Sequence, residues 1–169
     1  MRRLLPLAAL ALLSACGLQP MYAGGSSGVV ARGLSDIQVP PIEGKVGWLV
    51  RNALVDRLGA QPGANARYRL DVRLDDRVEG LGLLSDDTIG RERRTLRARY
   101  QLIDSASGKI VLDSSSGSDT GIDVVSSEYA TIAAEETALA NISSEVADRI
   151  ITKLALQIRS GSGSVPVSK

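Results

Sequence analysis

Residues 67–79, Arg67-Tyr68-Arg69-Leu70-Asp71-Val72-Arg73-Leu74-Asp75-Asp76-Arg77-Val78-Glu79, largely alternate between charged and apolar side chains. Successive side chains of a β-strand point to opposite faces, so this alternation predicts a strand with one buried and one charged face. A second run, residues 91–102, repeats the pattern. The two runs predict a hairpin joined through residues 80–87, whose tip carries Leu81, Leu83 and Leu84.

Two further strands are predicted, one before and one after the hairpin. Residues 34–42 form a short alternating run that ends around Pro40-Pro41, which favours an edge strand because proline cannot donate to a neighbouring strand. A turn at residues 104–108 leads into the apolar residues of 109–113. The Ser-rich stretch that follows predicts a weak continuation of this strand at the other edge of the sheet.

Two segments show helical periodicity. From Lys45 to Leu58 apolar residues recur every three or four positions, and Gly59 ends this helix. A longer apolar stripe begins after Ser126 or Ser127, either of which predicts an N-cap, and continues for about 30 residues.

The predicted order is therefore strand, helix, strand, strand, strand, helix. A parallel crossover joins the first two strands and hairpins join the others, so both helices cover one face of the sheet. The sequence predicts an α+β fold, a two-layer sandwich with two helices packed on one face of a four-stranded, mostly antiparallel sheet. Residues 34–159 form this single domain, the other sheet face stays open, and residues 160–169 are expected to be a disordered tail.

The composition excludes several functional classes. The 169 residues include no histidine and one cysteine, so a Ser-His-Asp triad, an imidazole metal site and an internal disulfide are all unavailable. With 20 Lys+Arg against 19 Asp+Glu, the net charge of +1 is not that of a nucleic-acid-binding protein. Three pairs of adjacent carboxylates could in principle serve acid/base chemistry. The side chains of Asp75 and Asp76 point to opposite faces of a strand, and Glu135-Glu136 lies on a helix surface. Asp86-Asp87 lies in a predicted turn, with a weak Ca²⁺ site as the alternative. We expect no enzymatic activity and no bound cofactor.

The amino terminus has the features of a lipoprotein export signal. Arg2 and Arg3 precede an apolar run that is too short to span a bilayer. Leu13-Ser14-Ala15-Cys16 resembles a bacterial lipobox, in which a diacylglyceryl group is attached to the cysteine thiol and the chain is cut before it. Residues 1–15 are therefore predicted to be a signal peptide and Cys16 the site of a covalent lipid.

The residues after the cysteine predict where the protein is held. Residues 16–33 form a lipidated N-terminus and a flexible Gly/Ser tether. Aspartate at the position after the cysteine favours inner-membrane retention in bacterial lipoproteins, and here that residue is Gly17. The expected location is the outer membrane, with the domain facing the periplasm.

The outward face of the hairpin is rich in arginine. Guanidinium groups stay protonated and bind phosphates and carboxylates in bidentate geometry, so this face is a candidate site for an anionic partner. The candidate residues are Arg67, Arg69, Arg73, Arg91, Arg93, Arg97 and Arg99, together with the tip leucines Leu81, Leu83 and Leu84. The alternative is an ordinary solvated face, on which cross-strand ion pairs contribute about 0–1 kcal/mol each.

Acidic residues are concentrated later in the chain. Every charged residue between Lys109 and Arg149 is an aspartate or a glutamate. This asymmetry predicts a basic hairpin opposed by an acidic last strand and helix, a polarity that suits oriented docking.

The stretch Cys16-Gly17-Leu18-Gln19-Pro20-Met21-Tyr22 resembles the start of the LptE family of lipopolysaccharide-assembly lipoproteins, in particular its shorter alphaproteobacterial forms. Leu18 stands where many members have phenylalanine, and Met21 where many have leucine. The resemblance implies an outer-membrane lipoprotein whose partner is the β-barrel LptD. It further implies that the chain sits largely inside the barrel lumen as a plug, supports barrel assembly and binds lipopolysaccharide on its way to the outer leaflet.

The resemblance gives the arginine-rich face a role. Arg91, Arg93, Arg97 and Arg99 are then expected to contact lumen-wall acids or lipid A phosphates, and the tip leucines to contact apolar barrel wall or acyl chains. The lumen of a large barrel is polar and water-filled, so a charged plug is consistent with it. The alternative is a free-standing periplasmic lipoprotein that binds a soluble anionic ligand on the same face and has no barrel partner.

Overall fold

The computed structural model describes residues 28–59, 65–83 and 89–162. In chain order these residues form seven helices and strands, which are α1 (Val29–Ser35), β1 (Ile37–Gln38), α2 (Gly44–Leu58), β2 (Tyr68–Leu83), β3 (Ile89–Asp104), β4 (Ile110–Asp123) and α3 (Glu128–Ser162). Residues 1–27, with the predicted signal peptide and Cys16, lie outside the described residues. Among the residues described, no helix combines the length and the apolar character needed to cross a membrane.

The four strands form one sheet in the order β1-β2-β3-β4. Strand β1 pairs with β2 in parallel, and the other two pairings are antiparallel. Strands β2 and β3 are each 16 residues long and form a hairpin that reaches well beyond the short β1. The predicted α+β fold, with a mostly antiparallel four-stranded sheet covered by helices, is confirmed.

The core lies between the sheet and the helices. On the inner face of the sheet, Leu70, Leu96 and Tyr100 have no exposed surface, and they meet Leu54 of α2 and Leu154 of α3 in one cluster of buried residues. These residues are the apolar halves of the alternating runs and the apolar stripes of the helices. Burial of apolar surface therefore explains why the strands and the helices adopt these orientations.

Helices α2 and α3 run parallel to each other. Lys45 contacts Glu136 at 2.6 Å and, three turns later, Arg57 contacts Asp148 at 2.5 Å, so the offset between partners is 91 residues at both points. Arg57 also donates to Ser144 Oγ at 2.7 Å. Polar contacts thus align the two helices along the edge of their apolar interface.

Three elements differ from the sequence prediction. The tether predicted through residue 33 is wrong from residue 29 onward, because Val29–Ser35 form α1, whose Val30 and Leu34 are buried. The edge strand predicted over 34–42 is reduced to Ile37–Gln38. Helix α3 continues to Ser162, so residues 160–162 are helical and do not belong to the predicted tail.

Close packing against α3 explains why α1 exists. Residues Val30 and Leu34 are four positions apart and share one helix face. A Cβ atom added at Gly33 would lie 2.6 Å from Ile158 Cγ2, so the glycine lets α1 approach the end of α3. A helix of seven residues would be marginal alone, and this contact stabilises it.

Acidification is expected to weaken the contact between α2 and α3. The hydrogen bond from Arg57 lowers the pKa of Asp148 against the opposing effect of burial, and the positive charge of Arg57 lowers it further. A carboxylate with a lowered folded pKa stabilises the fold above its unfolded pKa, and this contribution is lost as the pH falls through the folded pKa. The Tm should therefore drop below about pH 4 more steeply in the wild type than in Asp148→Asn.

Thermal unfolding between neutral and acidic pH measures this difference. Asp56→Asn is the matched control, since Asp56 makes no ion pair within 4 Å among the described residues. It should keep the wild-type pH profile. If Tm fell equally steeply with pH in the wild type and in Asp148→Asn, the acid sensitivity could not be assigned to Asp148.

Candidate functional site

The outer face of the sheet is the candidate site. Helices α2 and α3 pack on the inner face, and the described residues place no element over the outer one. Because side chains alternate along each strand, paired residues of neighbouring strands share this face. Its charged residues are Arg69, Asp71, Arg73, Asp75, Arg77 and Glu79 of β2, Arg91, Arg93, Arg97 and Arg99 of β3, and Asp113, Asp119 and Asp123 of β4.

The register brings most of the predicted arginines together. Arg91, Arg93, Arg97 and Arg99 form one row along β3, the third strand of the sheet. Arg73 of β2 lies directly opposite Arg99, so two guanidinium groups of like charge are neighbours across the hairpin. Arg69 lies at the β1 end of the same face. The predicted clustering of these six residues is present in the structure.

Arg67 does not belong to this row, and its predicted place on the ladder is wrong. It precedes the first residue of β2, and its guanidinium carbon lies 5.0 Å from the centre of the Tyr68 ring. The backbone N–H of Ser105 donates to Arg67 O at 2.9 Å, which holds this residue at the turn between β3 and β4. Arg67 therefore lies at the end of the sheet.

Acidic residues of β4 pair with the β3 arginines. Arg91 lies 3.5 Å from Asp123, Arg93 lies 3.7 Å from Asp119, and Arg99 lies 3.1 Å from Asp113. On this face β2 and β3 together carry seven arginines and three carboxylates, and β4 carries three carboxylates, so the predicted basic hairpin and acidic last strand lie directly beside each other. The face carries seven arginines and six carboxylates in an interleaved pattern.

Two arginines of the face keep their donors available. Within the described chain, neither Arg73 nor Arg97 has a carboxylate oxygen within 4 Å. By contrast, Arg99 donates to both carboxylate oxygens of Asp113, and this hydrogen bond is the main reason why the pKa of Asp113 is lowered. Arg73 and Arg97 are thus the side chains of the face best placed to bind an added anion.

An ion pair on the inner face was missed by the sequence analysis. Arg94 of β3 donates to both carboxylate oxygens of Asp76 of β2, at 2.9 and 2.6 Å, and their side chains are only 14% and 22% exposed. Asp75-Asp76 and Arg93-Arg94 are the two places where adjacent charges interrupt the alternation, which was the available signal. The inner face therefore becomes polar towards the end of the hairpin, where the pKa of Arg94 is raised by its hydrogen bond to Asp76 and further by the charge of Glu135 of α3.

The tip of the hairpin is described only in part. Leu81 is partly buried, whereas the side chain of Leu83 and all of Leu84 lie outside the described residues, as do Asp86 and Asp87. Nearby, Val78 is 48% exposed on the other face of β2. The predicted contacts of the tip leucines therefore stay a prediction.

The described residues contain no metal site. Among them, no three Asp, Glu, Cys or His side chains lie close enough together to coordinate one metal ion. Glu136, one of the pair considered from the sequence, is bonded to Lys45, and this hydrogen bond lowers its pKa. The side chains of the outer face can bind anions, but they do not form a catalytic arrangement.

The architecture matches solved bacterial lipoproteins. A Caulobacter crescentus protein described as a lipoprotein superposes with a TM-score of 0.67 at 25% identity, covering 77% of this chain and 96% of that one. A minor lipoprotein of Acinetobacter baumannii gives 0.55 at 14% identity, covering 71% and 88%, and lipoprotein B of Nitrosomonas europaea gives 0.57 at 12%, covering 76% and 87%. No curated protein sequence matches the chain.

A four-stranded sheet with helices on one face thus places this chain in the same α+β fold class as these lipoproteins. The family model of LptE, described as lipopolysaccharide-assembly, matches residues 34–154. The chain therefore belongs to the LptE family. It is a lipopolysaccharide-assembly lipoprotein of the cell envelope, and it is neither an enzyme nor a cofactor-dependent protein.

Proposed function

We propose that the chain is an outer-membrane lipoprotein that plugs the LptD β-barrel, helps to assemble it and assists lipopolysaccharide transport to the outer leaflet. One observation carries the proposal. The outer face of the sheet presents interleaved arginines and carboxylates. By contrast, the centre of a partner-binding surface is apolar in most proteins. Such a face suits the polar, water-filled lumen of a large barrel, since charged groups keep hydration there.

The β3 row supplies the contacts in this proposal. Arg91, Arg93 and Arg99 each have a β4 partner, so they bind a new anion by exchanging one carboxylate for another or for a phosphate. Arg97 lies between Asp75 on one side and Gly117 on the other, and its Cγ lies against Gly117, 3.3 Å from where a Cβ atom would be. The expected ligands of the row are acids of the lumen wall or phosphates of lipid A.

Two further contacts complete the proposal. The tip leucines Leu81, Leu83 and Leu84 lie against apolar barrel wall or acyl chains. The lipid on Cys16 holds the chain in the outer membrane, because two or three acyl chains anchor a protein for practical purposes permanently.

Replacing Arg91, Arg93, Arg97 and Arg99 together with glutamine tests the role of the row. We expect co-purification with the barrel from detergent-solubilised membranes to fall by about tenfold or more, because the loss of four solvent-exposed ion pairs removes up to about 1 kcal/mol each. Binding of purified lipopolysaccharide is measured separately and should fall as well if the row binds lipid A phosphates.

A matched control replaces Arg32, Arg67, Lys109 and Arg159, which removes the same charge away from the sheet face. This control should co-purify as the wild type does, and the Tm of both variants shows whether they are folded. If the β3 variant is folded and keeps both activities, the row is ordinary surface. A wild-type chain that brings down no barrel would instead favour the free-standing periplasmic lipoprotein.

A further inference from the structure

The end of the domain at which the described chain begins is a distinct surface. It is formed by α1, the start of β2, the turn between β3 and β4, and the last turns of α3, and we call it the anchor-proximal end. Tyr68 N–H donates to Asp36 O at 3.1 Å and Gln157 Nε2 donates to Val111 O at 3.1 Å, so these segments are held together. The start of β3 lies at the opposite end, since Val124 N–H at the entry to α3 donates to Gly90 O at 3.1 Å.

Unpaired cations are concentrated at the anchor-proximal end. Arg32, Arg67, Lys109 and Arg159 are all exposed, and none has a carboxylate oxygen within 4 Å among the described residues. The acids of these segments are Asp36 and Asp104, and Asp104 already accepts hydrogen bonds from the N–H and the hydroxyl of Ser107. The end therefore has an excess of positive charge, whereas most arginines of the sheet face are neutralised by neighbours.

Apolar groups accompany these cations. Val29, Ile110 and Leu156 are about half exposed, at 53%, 48% and 48%. A cavity of about 380 Å³ opens between Arg32 and Arg67, and Leu102 and Val111 contribute apolar surface to its lining. Basic side chains around small apolar projections are the combination that peripheral proteins use at the headgroup region of a bilayer.

The covalent chain restricts what this end can meet. Gly28 is twelve positions after Cys16 in the sequence. A Gly/Ser-rich coil of that length has an average span of about 19 Å. If Cys16 carries a lipid, the bilayer surface therefore lies within reach of this end.

We propose that the anchor-proximal end lies on the surface of an anionic bilayer, with Arg32, Arg67, Lys109 and Arg159 contacting the phosphates of lipid headgroups. The inference rests on the proposed lipidation of Cys16, but it does not depend on a barrel partner. An anionic lipid surface is the occupant that matches both the excess charge and the position of the tether. Docking of this end sets the direction in which the hairpin points from the membrane.

Vesicle binding of the chain from Gly17 onward tests this proposal without the lipid. The core cluster of the described residues is formed by the helices and strands from Val30 to Ala155, so this chain is expected to fold without its acyl groups. We expect it to co-sediment with vesicles of phosphatidylcholine and phosphatidylglycerol at low salt, and not with phosphatidylcholine alone. Binding should be lost at about 0.5 M salt, because salt screens attraction between exposed charges.

The decisive comparison uses two variants with four glutamines each. Replacing Arg32, Arg67, Lys109 and Arg159 should lower the partition coefficient by about tenfold or more, since each basic residue near an anionic surface contributes about fivefold. Replacing four exposed cations that lie outside both this end and the β3 row, Lys45, Arg77, Arg149 and Lys153, should leave it within about twofold of the wild type. Equal losses in both variants, or no loss in the first, would overturn the proposal.

This result is independent of the co-purification experiment. If vesicle binding behaves as expected but the barrel does not co-purify, the proposal that the anchor-proximal end lies on the bilayer is supported and the plug proposal fails. The reverse outcome supports the plug proposal and contradicts the proposal that the anchor-proximal end lies on the bilayer. Mass spectrometry of the Cys16 peptide checks the lipidation on which the inference depends.

Discussion

Replacing Cys16 with serine is expected to remove the protein from the outer membrane completely. Lipid transfer in the lipobox reaction needs the thiol, and cleavage follows lipid transfer. The variant should therefore accumulate as a precursor that keeps residues 1–15 and carries no acyl chain. The basic anchor-proximal end cannot replace the lipid, because electrostatic attraction is screened by salt while insertion of acyl chains is not.

Membrane fractionation with mass spectrometry of the N-terminal peptide measures this effect. The wild type should be found in the outer-membrane fraction with a lipid-modified Cys16, and Cys16→Ser in the inner-membrane or precursor fraction. Ser14→Ala, which keeps the thiol, is the matched control and should be processed normally. A Cys16→Ser chain that still reaches the outer membrane in mature form would contradict the lipoprotein assignment.

The anchor matters because the two ends of the domain are far apart. Helix α3 has 35 residues, which at 1.5 Å per residue gives a length of about 52 Å. Gly33 contacts the carboxyl end of this helix, whereas the strand end at Gly90 is near its amino end. If Cys16 is lipidated, the anchor-proximal end is therefore the end of the domain nearest the tether, and the strand end at Gly90 lies tens of ångströms from it.

The parts of the fold that could be predicted from the sequence are those with a strict period. Strand β3 was predictable because a one-residue shift would move Arg97 and Arg99 into the core and Tyr100 out of it. Helix α1 was not, because seven residues with two buried apolar positions give too weak a signal. Its stability comes from contact with Ile158, which is distant in the sequence and becomes a neighbour only in the folded chain.

The candidate site was predictable to the same extent. The alternation of side chains along a strand placed Arg91, Arg93, Arg97 and Arg99 on one face of the sheet. It did not predict which carboxylates pair with them. Strand β4 is rich in serine and glycine, so its alternation is weak and the face occupied by Asp113, Asp119 and Asp123 was not assigned. The pairing between β3 and β4 then decides whether carboxylates neutralise the charge of the arginine row. This pairing depends on tertiary structure.

Gly47→Ala is the substitution for which helix propensity and the structure predict opposite results. Gly47 is a buried residue in the first turn of α2, where alanine should stabilise a helix by about 1 kcal/mol. However, an added Cβ atom would lie 2.5 Å from Ile42 O and 2.7 Å from Ile42 C. Both are backbone atoms, so a change of side-chain rotamer cannot relieve the overlap.

We expect Gly47→Ala to lower the free energy of unfolding by about 1–3 kcal/mol, the usual cost of overpacking, in spite of the gain in propensity. The segment from Pro40 to Ile42 must move, and with it the connection between β1 and α2, whose Val39 O accepts a hydrogen bond from Arg51 at 3.1 Å. Denaturant unfolding measures the change. Gly161→Ala is the matched control, since a Cβ atom there meets nothing within 4 Å and the helix should be unchanged or slightly more stable. If Gly47→Ala were stabilising, α2 would have room to move away from Ile42, and its packing against the β1 connection would not restrict this position.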